Sequence, residues 1–156
     1  MHRISLSAAL VSVLLALPGV SPAQVDGPTG TPGELIIQPA AEAELAAYLW
    51  NARVLVVFAD TPADPRFIKQ MQMIEERPSD LIEREVVVLT DTAPAAASEA
   101  RQKLRPRGFA LVLIDKDGDV KLRKPSPWHT REIARSIDKT PLRLDEIREK
   151  GAPLSQ

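Results

Sequence analysis

Two aspartates border a short loop that follows an apolar run in this chain. The run Val54–Ala59 leads into Asp60 and Thr61, and Asp64 stands directly before Pro65. Asp64 and Pro65 are typical of a helix start, where aspartate caps the first turn and proline takes the first helical position. Alternatively, the oxygens of Asp60, Thr61 and Asp64 could bind a cation. Calcium needs six to eight oxygens, and three side chains supply only part of that set.

Basic side chains form a second group with binding chemistry. They cluster between residues 101 and 124: Arg101, Lys103, Arg105, Arg107, Lys121, Arg123 and Lys124. We interpret them as a solvated face with scattered ion pairs, or as a site for a small anionic ligand or an acidic protein. A contact between Arg107 and Asp60 or Asp64 is expected. The chain has 20 Lys and Arg against 21 Asp and Glu, so nucleic acid is not an expected partner.

His129 follows Trp128 in a proline-rich turn. A histidine acts in catalysis only beside a positioned partner, and no serine or aspartate stands at a recognisable nucleophile spacing. We therefore assign no catalytic residue and interpret His129 as a turn residue beside a packing tryptophan. Trp50 is expected to be a packing anchor too. The alternative is an enzyme that uses Asp60, Asp64 or His129.

Metal and redox chemistry find little support in the residue types. Met71 and Met73 with His129 could bind a soft metal, but two methionines two positions apart on a helix point to different sides. No metal site and no cofactor are therefore predicted. The chain has no cysteine, which removes thiol–disulfide exchange and peroxide reduction by cysteine.

The first residues have the pattern of an export signal. Arg3 precedes a short apolar run, and small residues lead up to Ala23, so we predict a signal peptide over residues 1–23 with cleavage after Ala23. The apolar run is shorter than the 20 or so residues that span a bilayer. A Gly- and Pro-rich spacer follows at residues 24–34, and the folded domain at 35–156. The expected location is periplasmic or extracellular, with no membrane span after cleavage.

Helix and strand patterns alternate along the domain. Predicted helices cover residues 40–50, 65–77, 79–82, 94–104, 130–137 and 140–151, and predicted strands cover residues 53–59, 85–90, 109–115 and 120–123. The Asp117-Gly118 pair indicates a tight hairpin between the last two strands. Alternation implies parallel crossovers, and the hairpin adds an antiparallel edge. We predict an α/β fold with a mixed four-stranded sheet and helices on both faces.

Two stretches carry a resemblance to a known fold. "VLVVFAD" and "LRPRGFALVLIDKDGDVKLR" resemble the thioredoxin segments at the first active-site strand and at the closing hairpin. With "NARVLVVFA" and "ADPR", the chain more closely resembles an uncharacterised thioredoxin-like family of exported bacterial proteins, also present in vertebrate extracellular proteins with sushi repeats. The resemblance covers about residues 45–150. It implies a three-layer thioredoxin-like fold.

The chain departs from working thioredoxins at both halves of their redox site. Thioredoxins carry cysteines in the loop that corresponds to residues 60–64, and a cis-proline faces those cysteines. Here the loop has no thiol, and the proline position corresponds to about Ala110, which disfavours a cis bond. The resemblance therefore implies fold and export without redox chemistry.

We predict a non-redox binding or interaction module. The expected contact edge consists of Asp60, Thr61, Asp64, Arg107 and Ala110, and the partner would be an unknown protein or a small anionic ligand. Besides the enzyme alternative, the domain could be an accessory subunit of a cysteine-bearing redox partner.

Overall fold

The computed structural model describes residues 33–151 of the chain. The predicted signal peptide, its cleavage position and most of the predicted spacer lie outside the described residues. Within residues 33–151, no helix has both the length and the apolar character that crossing a membrane requires.

Strands and helices alternate as the sequence predicts. The strands are β1 (Ile37–Pro39), β2 (Arg53–Phe58), β3 (Val86–Asp91), β4 (Ala110–Ile114) and β5 (Val120–Lys124). The α-helices are α1 (Pro65–Glu76), α2 (Pro78–Ile82), α3 (Glu99–Leu104), α4 (Thr130–Ile137) and α5 (Pro141–Gly151). Three 3-10 turns lie at Ala40–Glu42, Leu45–Tyr48 and Pro94–Ala96.

The strands form one mixed sheet in the order β1-β3-β2-β4-β5. β1 and β2 run parallel to β3, whereas β4 and β5 are antiparallel to their neighbours. The predicted α/β class is correct, but the sheet has five strands rather than four. The sequence interpretation missed β1 because it has only three residues and ends in Pro39, a residue type that sheets accept at their edges.

Both faces of the sheet are covered, which gives three layers. Val54, Val56 and Phe58 of β2 pack with Tyr48 on one face, together with Ala100 from α3. On the other face, residues of β2 and β4 pack against helices α1, α2 and α4. β2 is buried along its whole length, as expected for a strand with helices on both sides.

The first predicted helix, residues 40–50, is wrong. Two 3-10 turns replace it, because the backbone of Ala43 and Glu44 is extended between them. The Leu45 N–H instead donates to Glu99 Oε2 at 2.8 Å. Trp50, expected to be a packing anchor, is 69 % exposed. Tyr48 is the aromatic residue buried there, so tertiary contacts outweigh the helix propensity of an alanine-rich segment.

Two further helix starts differ from the sequence prediction. The predicted helix over 94–104 begins as a 3-10 turn, and α3 starts only after Ser98, whose side chain accepts from Arg101 N–H. Thr130, predicted to cap α4, is already its first residue, and its hydroxyl donates to Met73 O at 2.6 Å. Thr130 therefore joins α4 to α1 instead of capping α4.

Charged side chains fasten α5 to the sheet. The fully buried Arg53 on β2 lies 2.8 Å from Asp115 and 3.0 Å from Glu146 of α5. Lys116 and Arg143 contact the same Glu146 carboxylate at 3.0 and 3.1 Å. Burial raises the pKa of Glu146, but the hydrogen bonds from Arg53, Lys116 and Arg143 outweigh burial and lower this pKa to about 2.

Candidate binding site at the carboxyl end of β2

The loop between β2 and α1 is fixed by Asp64. Its Oδ1 accepts a hydrogen bond from the Arg66 N–H at 2.9 Å and caps α1, as the sequence predicts. The Arg66 guanidinium also donates to this carboxylate, with Nη2 2.8 Å from Oδ2. These bonds, first the one from the Arg66 side chain and then the one from its backbone N–H, hold the pKa of Asp64 below its ordinary value. The Asp64 oxygens are therefore engaged within the helix start.

Asp60 and Thr61 form the exposed tip of the loop. The Asp60 side chain is 64 % exposed, and its Oδ1 has only a long contact of 3.9 Å to Arg101 Nη1. Gly108 lies on the other side, since a Cβ there would be 3.8 Å from Asp60 Oδ2. The Thr61 hydroxyl accepts from Ala63 N–H at 3.3 Å, which turns the loop. Asp60 is thus the carboxylate of the predicted pair that faces solvent.

Beneath the loop, Arg101 joins the carboxyl ends of two parallel strands. Its Nη2 donates to Ala59 O and to Asp91 Oδ1, both at 2.9 Å. Ser98 Oγ donates to the other Asp91 oxygen and accepts from Arg101 N–H at 3.1 Å. The guanidinium also lies 5.4 Å from the centroid of the Phe58 ring, a cation–π distance. Arg101 therefore ties the root of the loop to β3 and α3.

The sequence interpretation missed Asp91 and Ser98 and placed Arg101 on a solvated basic face. The Arg101 side chain is 13 % exposed, so that placement is wrong for this residue. A usable signal was present, because Asp91 directly follows the predicted strand 85–90, and that strand runs parallel to β2. The carboxyl ends of parallel strands meet at one edge of a sheet, so Asp91 had to lie near Asp60.

Arg107 does not form the contact expected from the sequence. Asp64 pairs with Arg66, and among the described residues the cation nearest to Asp60 is Arg101. Among residues 33–151, no carboxylate lies within ion-pair distance of Arg107, and this residue is exposed. Arg107 is therefore an exposed cation, and the next residue, Gly108, lies beside Asp60.

Ala110 contributes backbone rather than side chain to this edge. It is 6 % exposed and stands opposite Phe58 in the β2–β4 pairing. All peptide bonds between residues 33 and 151 are trans, including the one before Ala110. Of the predicted edge residues, Asp60, Thr61 and Arg107 thus present side chains to solvent.

His129 lies away from the two aspartates. It lines an open cavity of about 350 Å³ with Met73 and residues at the end of α1. Met73 is nine positions beyond Asp64, which corresponds to roughly 14 Å along a helix. Acid–base partners need hydrogen-bond reach, so the geometry does not assemble the predicted enzyme alternative.

The cation alternative for Asp60, Thr61 and Asp64 gains no support from the geometry. The Asp64 carboxylate accepts hydrogen bonds from Arg66, and Arg101 approaches Asp60. Within the described part of the chain, no group of three or more His, Asp or Glu side chains is arranged to hold a metal ion. We assign no metal ligand to this edge.

Solved structures with similar architecture are thioredoxin-like. The 2-Cys peroxiredoxin of Plasmodium vivax is 16 % identical over 69 % of this chain and 85 % of its own, with a TM-score of 0.51. Desulfothioredoxin from Desulfovibrio vulgaris Hildenborough is 17 % identical over 69 % and 99 %, with a TM-score of 0.50. Chloroplastic thioredoxin z is 18 % identical over 69 % and 96 %, with a TM-score of 0.51. These similarities confirm the predicted thioredoxin-like fold.

No curated protein sequence matches the chain. Residues 44–146 match a family described as "Domain of unknown function (DUF4174)". The match spans most of the described residues. It includes Arg101 and its hydrogen-bond partners Ala59, Asp91 and Ser98. The chain belongs to the DUF4174 family and has a thioredoxin-like fold without cysteine.

Proposed function

We propose that this domain is an exported, non-redox binding module. It recognises a protein partner through the edge formed by Asp60, Thr61 and Arg107. The observation that carries the proposal is an exposed loop, residues 60–64, held from below by the largely buried ion pair of Arg101 and Asp91. Asp60 and Thr61 face solvent, while Arg101 directly below them makes hydrogen bonds to Ala59 and Asp91.

A fixed loop favours recognition because binding then requires little ordering. Both ends of loop 60–64 are restrained, one by Arg101 bonding to Ala59 O and the other by the Asp64 cap. The loop presents its exposed groups in one arrangement. A preformed set of polar groups on a loop is a common basis for binding in proteins with a rigid scaffold.

The charges of the edge fit a protein better than a small anion. Asp60 is an exposed carboxylate, and Arg66 is half-exposed nearby. Arg107 is exposed and directly precedes Gly108, at which a Cβ would be 3.8 Å from Asp60 Oδ2. A partner with opposite charges in matching positions can pair with both Asp60 and Arg107. A small anion would gain from Arg107 and be repelled by Asp60, so it is the second candidate.

The proposal includes export. The expected signal peptide at residues 1–23 would be removed, and mass spectrometry of the protein recovered outside the cytoplasm should give an amino terminus at Gln24. Recovery of the intact chain only from the cytoplasm would contradict this part of the proposal and leave the binding edge to be tested separately.

The binding edge is tested by site-specific cross-linking. A photoreactive residue at Thr61 in the exported protein should give one or a few defined adducts. Asp60→Ala and Arg107→Ala should reduce adduct yield at least fivefold, because each removes an exposed charge from the edge. Arg148→Ala is the matched control, since Arg148 is an exposed arginine on α5. Equal adduct yields in all four proteins would show that the interface lies elsewhere.

A further inference from the structure

A second concave surface lies at the amino end of β2, away from the Asp60 loop. It is an open pocket of about 270 Å³, near the lower end of the range for small-molecule sites. Its lining is mostly aliphatic, with these side chains among its walls: Leu45, Ala46, Leu49, Val54, Leu104 and Val120. Apolar lining of this kind favours an apolar chain or ring.

The pocket is shaped by the close approach of the β4–β5 hairpin to the segment before β2. Val54 and Ile114, which pair across β2 and β4, are part of its lining. At Gly118 a Cβ would lie 3.0 Å from Leu49 Cδ2, and the φ angle is +85°. Only glycine fits there without strain. The hairpin tip therefore rests directly on Leu49, and the pocket is already formed in the free protein.

Exposed apolar side chains collect around the pocket mouth. Leu49 and Val120 line it and are 41 % and 46 % exposed. Trp50, the residue after Leu49 in the chain, is 69 % exposed. The Trp50 backbone has a φ of 62°, which a bulky residue rarely adopts. Its N–H donates to Lys116 O at 2.8 Å, which holds this conformation. Clustered exposed apolar residues are typical of binding sites.

The charges at the pocket favour an anionic head group. Lys103 is the one cationic side chain among the described residues that line the pocket, and it is 57 % exposed. Lys103 Nζ contacts the Glu99 carboxylate one turn away on α3, and Glu99 also accepts a hydrogen bond from Leu45 N–H at 2.8 Å. A pair with this much exposure on the lysine side contributes little. The other charged lining residue, Asp115, is already paired with the buried Arg53. An incoming carboxylate would therefore share with Glu99 an ammonium group that is still more than half exposed.

We propose that this pocket binds a short aliphatic carboxylate. The alkyl chain lies against Leu45, Leu104 and Val120, and the carboxylate pairs with Lys103 at the mouth. The pocket is separate from the Asp60 edge, so this inference stands or falls independently of the proposed protein partner.

Octanoate is the probe, and Trp50 is the reporter. The chain has two tryptophans, so Trp128→Phe leaves Trp50 as the single one. Octanoate should change its fluorescence saturably, below the micelle concentration. Octanol should bind about two- to fivefold more weakly, because it lacks the charge that pairs with a half-exposed lysine. Octylamine should bind more weakly still.

Three variants locate the site. Ala46→Phe fills an exposed position of the lining and should weaken octanoate binding at least tenfold. Ala95→Phe adds the same ring at an exposed position that does not line the pocket, and should leave the affinity unchanged. Lys103→Ala should reduce the octanoate affinity to that of octanol. Circular dichroism checks that each variant is folded.

Several outcomes would overturn the proposal. Absence of saturation up to about 5 mM octanoate, roughly five thousandfold above a micromolar dissociation constant, would exclude the ligand class. Equal binding of octanol and octanoate would show that the carboxylate is not recognised. Unchanged octanoate affinity in Ala46→Phe would show that the ligand binds outside this pocket. Concentration-dependent dimerisation that Trp50→Ser abolishes, without octanoate binding, would instead assign this face to a second copy of the chain.

Discussion

At the scale of single residues, Arg101 has the clearest role in the candidate site. Its guanidinium is largely buried, and a buried charge is costly unless other groups compensate for it. Asp91 supplies the opposite charge, and Ala59 O supplies a further acceptor. The result is a self-contained ionic unit beneath loop 60–64. Changing either charged partner alone should therefore leave the other buried without its counter-charge.

The first prediction concerns this ionic pair. Arg101→Met and Asp91→Asn should each lower the free energy of unfolding by about 3–5 kcal/mol, the usual cost of removing one partner of a buried pair. Urea unfolding followed by circular dichroism measures this change. Arg148→Met, on the surface of α5, should change it by less than about 0.5 kcal/mol. If all three substitutions changed the free energy of unfolding by similarly small amounts, the pair of Arg101 and Asp91 would not stabilise the folded chain.

The second prediction concerns the charge of Asp64. The pKa of this carboxyl is lower in the folded chain than its usual value of about 4. Its contribution to stability is therefore present above about pH 4 and lost as the pH falls through the folded pKa. Asp64→Asn retains a capping oxygen and loses the charge. This variant should be less stable than the parent at pH 7, and the difference should narrow as the pH falls below about 4.

Thermal unfolding of both proteins across pH 2–7 tests the expectation for Asp64. Thr61→Ala, in the same loop, is the control. Its Tm should differ from that of the parent by the same amount at every pH. A constant difference between Asp64→Asn and the parent down to pH 2 would show that the charge of Asp64 does not stabilise the helix start.

At the scale of elements, the attachment of α5 depends strongly on charge. Of its described residues only Arg143 is buried, and Leu144 and Ile147 are each 48 % exposed. The helix joins the sheet mainly through Glu146, which contacts Arg53 and Lys116. A helix docked in this way should be more sensitive to pH than α1 or α4, which pack through apolar side chains.

The third prediction is acid release of α5. The pKa of Glu146 is about 2 when folded and about 4.3 when unfolded. The stabilisation by its carboxylate is therefore complete above about pH 4.3 and falls between there and pH 2. Amide hydrogen exchange at residues 141–151 should speed up in this range before exchange in β2 does. Glu146→Gln should show fast exchange of α5 already at pH 7, with a loss of about 2 kcal/mol.

Glu149→Gln is the control for Glu146, because Glu149 is exposed on the same helix. Its exchange profile should match that of the parent. Simultaneous exchange of α5 and β2 throughout the acid range would argue that the helix and sheet unfold as one unit.

Individual helices also show which parts of the structure could be predicted from the sequence and which could not. The start of α1 was predictable because Asp64 and Pro65 encode it locally. The segment 40–50 was not, because its helix propensity is overruled by contacts from distant residues, such as Glu99 to Leu45 N–H. In the candidate site, Asp60 and Asp64 were found from spacing. Asp91 and Ser98 required knowledge of which strands are neighbours.

At the scale of the whole molecule, the chain combines a thioredoxin-like fold with the absence of cysteine. The sheet and layers were predictable, since buried strands appear as long apolar runs and β2 is one of them. The function was not, because similar folds carry many activities. Because the chain has no cysteine, it cannot carry out thiol–disulfide exchange by itself.

The fourth prediction follows from the absence of cysteine in the chain. The purified domain should not accelerate insulin reduction by dithiothreitol and should not consume peroxide with dithiothreitol as electron donor. Its urea midpoint should be the same with and without reductant, because no disulfide can form. A cysteine-containing thioredoxin in parallel assays is the positive control. Activity that survives further purification would require a mechanism without thiols.

The buried Arg53 also has a consequence for the order of folding during synthesis. Its partner Glu146 lies 93 positions later in the chain, so a ribosome must make nearly the whole domain before that ion pair can close. Until Glu146 has been synthesised, the cost of removing the Arg53 guanidinium from water opposes the burial of β2. The domain should therefore become resistant to protease on the ribosome only after α5 has been synthesised, later than a domain of the same size whose buried contacts are all local.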